Sequence, residues 1–275
     1  MSIYRDYDPK VIYEDNNFYG IYKPPYWQVT IGSNCPKSIC GVDENMNRKL
    51  LQVWMYKNLD YPNKNNYNYD YGISNRLDIN TSGVVLIGKT PSAYKHLRKV
   101  ISDHRNTQKR YFALVRNKIT KGGIIENKIK CLRMKRSARC ENNGQGQYAK
   151  TYYEPITYFK DKNENIYTLL NIRIVTGRTH QIRVHMKVLD TEIVGDPFYV
   201  KNNEIYNYEK NLVPRIFLHA YNYNFPDMNG NIIHVYSPLS NDLFRSLKNN
   251  FVMVDDQLQF EEVEKFLSNP KTIVS

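Results

Sequence analysis

One carboxylate carries most of the chemical interest of this chain. Asp78 lies in Asn75-Arg76-Leu77-Asp78-Ile79-Asn80-Thr81-Ser82-Gly83, directly ahead of the apolar run Val84-Val85-Leu86-Ile87. A lone acid in a polar turn is ordinarily a cap for backbone amides. An acid delivered beside a buried strand can also stabilise a developing cation or bond to an electrophilic carbon. Two further segments hold the residue types that such a carboxylate needs. Lys109 to Ala113 carries an aromatic ring, Tyr111, and Thr176 to His185 carries a guanidinium, Arg183. A neighbouring cation keeps a partly buried carboxylate ionised, and a tyrosine face stacks on a planar base. Arg183 is far from Asp78 in sequence, so only the fold can unite them.

The elements that must position these groups are partly readable. Val11–Tyr13 and Phe18–Tyr22 read as two short strands around a polar turn at Glu14 to Asn17, with Lys23-Pro24-Pro25 ending the second. Asn63 to Asp70 reads as a polar loop. Val84 to Ile87 is too continuously apolar to have a wet face. A helix follows, capped by Thr90, with Pro91 at its first position and a stripe of Tyr94, Leu97, Val100 and Ile101. Arg110 to Arg116 reads as a strand with Tyr111, Ala113 and Val115 on one face. Residues 133 to 147 read as a basic, glycine-bearing loop. Thr168 to Val175 alternates as a strand. Thr176-Gly177-Arg178 then turns into a helix capped by Thr179, with Ile182, Met186 and Leu189 buried and Arg183 and Lys187 on another face. Gly195-Asp196-Pro197 closes that unit, and a last amphipathic helix covers Phe260 to Leu267. Strands outnumber helices without alternating regularly, which predicts an α+β fold with a mainly antiparallel sheet.

Composition narrows the partners. The 275 residues allow a real core, and the net charge of +12 favours encounter with polyanions, nucleic acid first. The 24 tyrosines and the Asn and Lys runs fit an AT-rich coding bias; base stacking cannot account for all of them. Cys35, Cys40, Cys131 and Cys140 have gaps that match no common zinc-ligand pattern, so free thiols in a reducing compartment are expected. The first residues have no apolar signal core, and no apolar run reaches membrane-spanning length. A cytoplasmic protein with no membrane association is expected, although Arg133 to Arg139 leaves a nuclear address open.

Taken in order, the motifs resemble those of the RluA-type RNA pseudouridine synthases. That family reads His-Arg-Leu-Asp then Thr-Ser-Gly, where this chain has Asn75 to Asp78 and Thr81 to Gly83. Its Lys-x-Tyr-x-Ala is matched by Lys109, Tyr111 and Ala113. Its Thr-Gly-Arg-Thr/Ser-His-Gln-Ile/Leu-Arg-x-His is matched from Thr176 through His185 without a gap. Gly195, Asp196 and Tyr199, then Leu218-His219-Ala220, fit later family positions, and Val11 to Pro24 fits the early strand, turn and Lys-Pro. The resemblance covers roughly residues 11 to 240, and ordered motifs over such a span are far more specific than one short pattern.

The resemblance implies an isomerase that converts uridine to pseudouridine in ribosomal or transfer RNA, without metal or cofactor, acting as a monomer. Its frame would be a single catalytic domain over 1–275: a mainly antiparallel mixed sheet flanked by helices, with a central RNA-binding cleft. Residues 241–275 would be a helical extension, and no separate N-terminal RNA-binding domain is expected. Asp78 would be the catalytic carboxylate, with Arg183 paired to it and Tyr111 against the target uracil. The uridine would be flipped out of its stack, and Arg76 would fill the space it leaves. RNA contacts are expected at Arg76, Arg178, Ile182, Arg133, Lys135 and Arg136; Arg178 could equally brace its turn. His180, His185 and His219 read as structural. A glycosidase needs a second acid, and these motifs hold none. The competing reading is a catalytically silent RNA-binding protein on the same fold. Asn75 departs from the family's His; activity should survive, with base sensing altered.

Overall fold

Strand β3 (Ser82–Gly88) is buried at every residue, and its alternation explains how a wholly apolar run is satisfied. Val84 and Leu86 join a cluster with Phe18, Ala93, Leu97, Tyr223, Phe225, Ile233 and Val235. Val85 and Ile87 face the other way, into Tyr19, Ile21, Val29, Leu51, Met55, Tyr61 and Ile73. Successive side chains of a strand point to opposite faces, so both sides of this strand are core.

The computed structural model describes residues 7–30, 49–103, 106–132, 137–141, 145–254 and 258–273. They divide into two units, one of residues 1–107 with 222–237 and one of residues 108–221 with 238–275.

In the first unit β1 (Lys10–Glu14) pairs antiparallel with β2 (Phe18–Lys23), which pairs antiparallel with β3. The turn between β1 and β2 is made by Asp15, whose Oδ1 accepts from the amides of Asn17 and Phe18. Helix α1 (Leu51–Asn58) covers one face of β3 with Leu51 and Met55. Helix α2 (Pro91–Asp103) covers the other with Ala93 and Leu97. Thr90 caps α2 as expected: its Oγ1 accepts from the Ala93 amide at 3.2 Å. The second half of β9 (Leu218–Pro226) pairs antiparallel with β10 (Ile232–Tyr236).

The approach to Asp78 is fixed by backbone conformation. Asp70, Tyr71 and Gly72 all have positive φ, at 48°, 55° and 84°. A Cβ on Gly72 would lie 2.4 Å from the carbonyl oxygen of Gly88, so only glycine fits. Gly72→Ala is expected to cost on the order of 2–3 kcal/mol, from the left-handed backbone and the displaced strand end. Urea unfolding measures it; a loss under about 0.5 kcal/mol, within the range of neutral surface changes, would contradict this account.

The second unit is an antiparallel sheet in the order β4 (Gln108–Arg116), β8 (Ile166–Ile174), β7 (Gln147–Lys160), β5 (Gly123–Leu132), β6 (Ser137–Glu141), with β11 (Val252–Met253) on β7. Helices α3 (Gln181–Val188), α4 (Asn203–Glu209), α5 (Asn241–Asn250) and α6 (Phe260–Ser268) accompany it. Phe266 of α6 meets Phe112 edge-on at 4.9 Å, and Phe112 stacks on Tyr221 at 3.9 Å.

The α+β, mainly antiparallel expectation therefore holds. Three local expectations do not. The segment 133–147 is not wholly a loop, because residues 137–141 form β6 and pair with β5. Helix α3 is not capped by Thr179: its N-cap is His180, in a left-handed conformation with φ 55° and no side-chain cap. Arg183, expected off the buried stripe of Ile182, Met186 and Leu189, is itself buried, with only 5% of it exposed.

Candidate active site

In the first unit the segment carrying Asp78 is tied down at both ends. Ser74 donates its Oγ to the Leu86 carbonyl at 2.8 Å. Asn75 acts like a piece of neighbouring strand: its Oδ1 accepts from the Leu86 amide at 2.8 Å and its Nδ2 donates to the Val84 carbonyl at 3.3 Å. A carboxamide satisfies a donor and an acceptor at once, which gives the departure from the family's His a structural role. Beyond Asp78, the buried Lys23 ammonium donates to the carbonyls of Pro24, Trp27 and Ile79 at 2.9, 2.9 and 3.1 Å. The Tyr26 amide also donates to Ile79, and the Thr81 amide closes the turn on the Asp78 carbonyl at 3.1 Å. Asp78 is half-buried and Arg76 exposed between these anchors. A rigid backbone under a carboxylate fixes the direction in which it is presented.

In the second unit Tyr111 is 9% exposed on β4, directly opposite Ile172 of β8, with Lys109 and Ala113 on the same face. The Lys109 ammonium donates to the Val175 carbonyl at 2.9 Å, and burial, with Arg178 nearby, pushes its pKa down to about 8. Val175 leads into the Thr176 turn, so this lysine fastens one motif to the next. Thr176 and Gln181 complete the fastening. Thr176 donates to Gln181 Oε1 at 2.6 Å, and Gln181 Nε2 donates to the Lys150 carbonyl and Thr151 Oγ1 at 3.0 Å each. His185 Nδ1 lies 2.8 Å from Thr151 Oγ1, and burial pushes its pKa down to about 4. It stays neutral at neutral pH, as its structural reading requires. Arg178 donates Nε to the Tyr148 carbonyl at 2.9 Å, which is a brace.

Arg183 has a partner that sequence reading did not assign. Its Nε donates to Asp196 Oδ2 at 2.7 Å and its Nη2 to Oδ1 at 2.8 Å. Asp196 is wholly buried. Its Oδ1 also accepts from the amides of Phe198 at 2.8 Å and Tyr199 at 3.3 Å. The guanidinium lies over the rings of Phe198 and Tyr199, at 5.2 and 5.0 Å. A two-pronged pair with a planar fork fixes direction as well as charge. The turn that delivers Asp196 needs Gly195, at φ +75°, where a Cβ would meet the Arg215 carbonyl oxygen at 2.6 Å. The adjacent Gly-Asp in sequence was the available signal for this residue.

Of the other expected RNA contacts, Ile182 is 5% exposed on α3, and Arg133, Lys135 and Arg136 lie outside the described residues. Cys131 and Cys140 are free thiols; Cys35 and Cys40 lie outside the described residues. Among the described residues no group of three or more His, Cys, Asp or Glu is placed to hold a metal ion, and no helix is long and apolar enough to cross a membrane.

An antiparallel α+β frame that presents one carboxylate from a strand-anchored turn, and elsewhere a strand-borne tyrosine and a buried guanidinium, has the fold of the pseudouridylate synthases. The solved human RNA Pseudouridylate Synthase Domain Containing 1 has the same fold, with a TM-score of 0.68 at 18% identity over 97% of each chain. The family described as RNA pseudouridylate synthase matches residues 17–187. The chain therefore belongs to this family, in its RluA-type branch. An uncharacterized RNA pseudouridine synthase of Helicobacter pylori is 29% identical over 80% of this chain and 73% of its own length. The ribosomal large subunit pseudouridine synthase D of Buchnera aphidicola is 31% identical over 76% of this chain, which spans 63% of that relative.

Proposed function

We propose that the chain is an RNA pseudouridine synthase that isomerises uridine in ribosomal RNA, with Asp78 as its catalytic carboxylate. The observation that carries this reading is the family match over residues 17–187, which includes all three motifs. The name of the Buchnera relative favours the large-subunit ribosomal RNA as the substrate.

The reaction conserves atoms. The bond from C1′ to N1 of the uracil breaks, the base turns, and C1′ bonds to C5. The proton on C5 leaves and N1 gains one. Positive charge at C1′ is the electrostatic problem, and the Asp78 carboxylate answers it by stabilising or bonding to that carbon. Tyr111 offers its ring to the uracil, and its hydroxyl assists loss of the C5 proton. The Arg183 guanidinium, held by Asp196, favours the charged carboxylate. Arg76, exposed beside Asp78, takes the place of the extruded base, where a planar cation stacks as lysine cannot. Neither metal nor cofactor has a step in this scheme. The excess of 39 Lys and Arg over 27 Asp and Glu draws RNA to the surface at moderate salt.

Unmodified large-subunit ribosomal RNA, incubated with the protein and mapped with carbodiimide, is expected to gain pseudouridine at a small number of uridines and to release no free uracil. Binding without any modified uridine would favour the silent RNA-binding reading instead. Release of uracil would make the protein a hydrolase.

A further inference from the structure

Residues 62–71, between α1 and the Asp78 segment, have no part in the reaction scheme, yet they are built with care. An open cavity of about 570 Å³ is lined by Pro62, Asn65, Asn66, Tyr67 and Asn68. The side-chain amides of Asn65, Asn66 and Asn68 bond to no protein group among the described residues. Tyr67 is 42% exposed and rests edge-on against the buried Tyr71 at 6.3 Å. Tyr69 rests edge-on against Tyr94 of α2 at 6.0 Å, with the Lys95 ammonium 5.4 Å from its ring centre.

The backbone beneath is locked. The Tyr69 and Tyr71 amides donate to the Asn66 carbonyl, and the Tyr61 hydroxyl donates to the Tyr71 carbonyl at 2.9 Å. Asp70 Oδ2 accepts from the Tyr94 hydroxyl at 2.6 Å. The three positive-φ residues then turn the chain into Ile73, so Arg76 follows Tyr71 by no more than about 18 Å of extended chain. Cations border the loop. Arg98 donates to the Ser74 carbonyl at 3.1 Å, and Arg76 and Arg98 both lie near enough to Tyr94 to oppose the rise in its pKa.

Preformed aromatic faces beside carboxamides and cations match an unpaired nucleotide: a ring for the base face, amides for its edge, ammonium and guanidinium for phosphate. We propose that residues 62–71 form a binding subsite for an unpaired nucleotide of the RNA. Its base stacks on Tyr67, its edge meets Asn65, Asn66 or Asn68, and its phosphate meets Lys95 or Arg98. The proposal rests on the synthase reading only in taking RNA as the substrate, and it adds a contact that selects for single-stranded sequence near the modified uridine.

The test is binding of the full chain to a labelled eight-nucleotide oligoadenylate, followed by fluorescence anisotropy. The probe contains no uridine, so it reports on the subsite without the isomerisation. Tyr67→Ala is expected to weaken binding about 5- to 150-fold, the affinity of one stacked base, while Tyr67→Phe changes it less than about twofold because the ring remains. The slope of affinity against salt should be unchanged, since no phosphate contact is removed. If Tyr67→Ala does not fold, a variant carrying both Asn65→Asp and Asn68→Asp, at exposed positions, should weaken the same probe at least tenfold by charge repulsion. Wild-type affinity in a folded Tyr67→Ala, or in the double variant where the alanine does not fold, would overturn the subsite, as would equal losses in the alanine and phenylalanine variants. Failure of the synthase reading appears elsewhere, as ribosomal RNA left without pseudouridine, and leaves the alanine–phenylalanine difference intact.

Discussion

Asp78→Ala and Asp78→Asn are each expected to lower pseudouridine formation by roughly 10⁴-fold or more, the scale of losing a group that bonds to or directly stabilises the reacting carbon. The asparagine variant is the more telling of the two. It keeps the size and planar shape of the side chain while replacing the charged, acceptor-only carboxylate with a neutral amide, so its loss reports on the charged carboxylate rather than on packing. RNA affinity should change less than about threefold in either variant, because one carboxylate contributes nothing attractive to a polyanion. Folding should suffer far less than the chemistry does. The turn is fastened through the Ile79 and Asp78 carbonyls, by Lys23, Tyr26 and Thr81, and those bonds survive the substitution. Single-turnover rates with the target RNA, beside a binding titration, separate the effects. Product at more than about a tenth of the wild-type rate would remove Asp78 from the chemistry, since each tenfold is only about 1.4 kcal/mol of barrier.

Asp196→Ala is expected to be the most damaging substitution for stability, at about 3–5 kcal/mol. The cost does not come from a lost attraction alone. It takes from the Arg183 guanidinium, 5% exposed, the carboxylate that both its prongs bond to, and it strips an acceptor from the Phe198 and Tyr199 amides. A loss of this size lowers Tm by on the order of 10 °C for a chain of this length. The double variant Arg183→Met with Asp196→Ala should recover at least half of that loss, because the buried charge is gone. It should not recover pseudouridine formation, which on the proposed reading needs the guanidinium. Calorimetry of the two single variants and the double variant is the measurement. A fall of less than about 1 kcal/mol in Asp196→Ala, the scale of a surface pair, would show that the pair bears little weight.

Much of this organisation was legible in the residues. The apolar run at 84–87, Thr90-Pro91 and the alternation at 168–175 gave β3, α2 and β8 because each signal is local: a two-residue period, a hydroxyl cap, a proline at a first turn. The misreadings share a different cause. Residues 137–141 look like solvated loop because β6 owes its existence to the antiparallel partner β5, a contact that no short window contains. Thr179 is a good capping residue by type, yet His180 holds the N-cap position, with its Nδ1 2.9 Å from the Tyr199 hydroxyl. A contact made through the tertiary fold outweighed local propensity there.

The site divides along the same line. The order of residues was enough to supply the inventory: a carboxylate in a turn ahead of a buried strand, a tyrosine on a strand, an arginine within an ordered motif, and a surplus of positive charge. These are facts of residue type and spacing, and they were enough to indicate the family. What holds each group became visible with the folded chain. It gave Arg183 to Asp196 and turned Asn75 into a stand-in for a strand neighbour. It spent the buried ammonium of Lys23 on three carbonyls. The reason is physical. A buried charge or amide must find its partner wherever the folded chain places one, and the distance to that partner along the sequence carries no information about which it is.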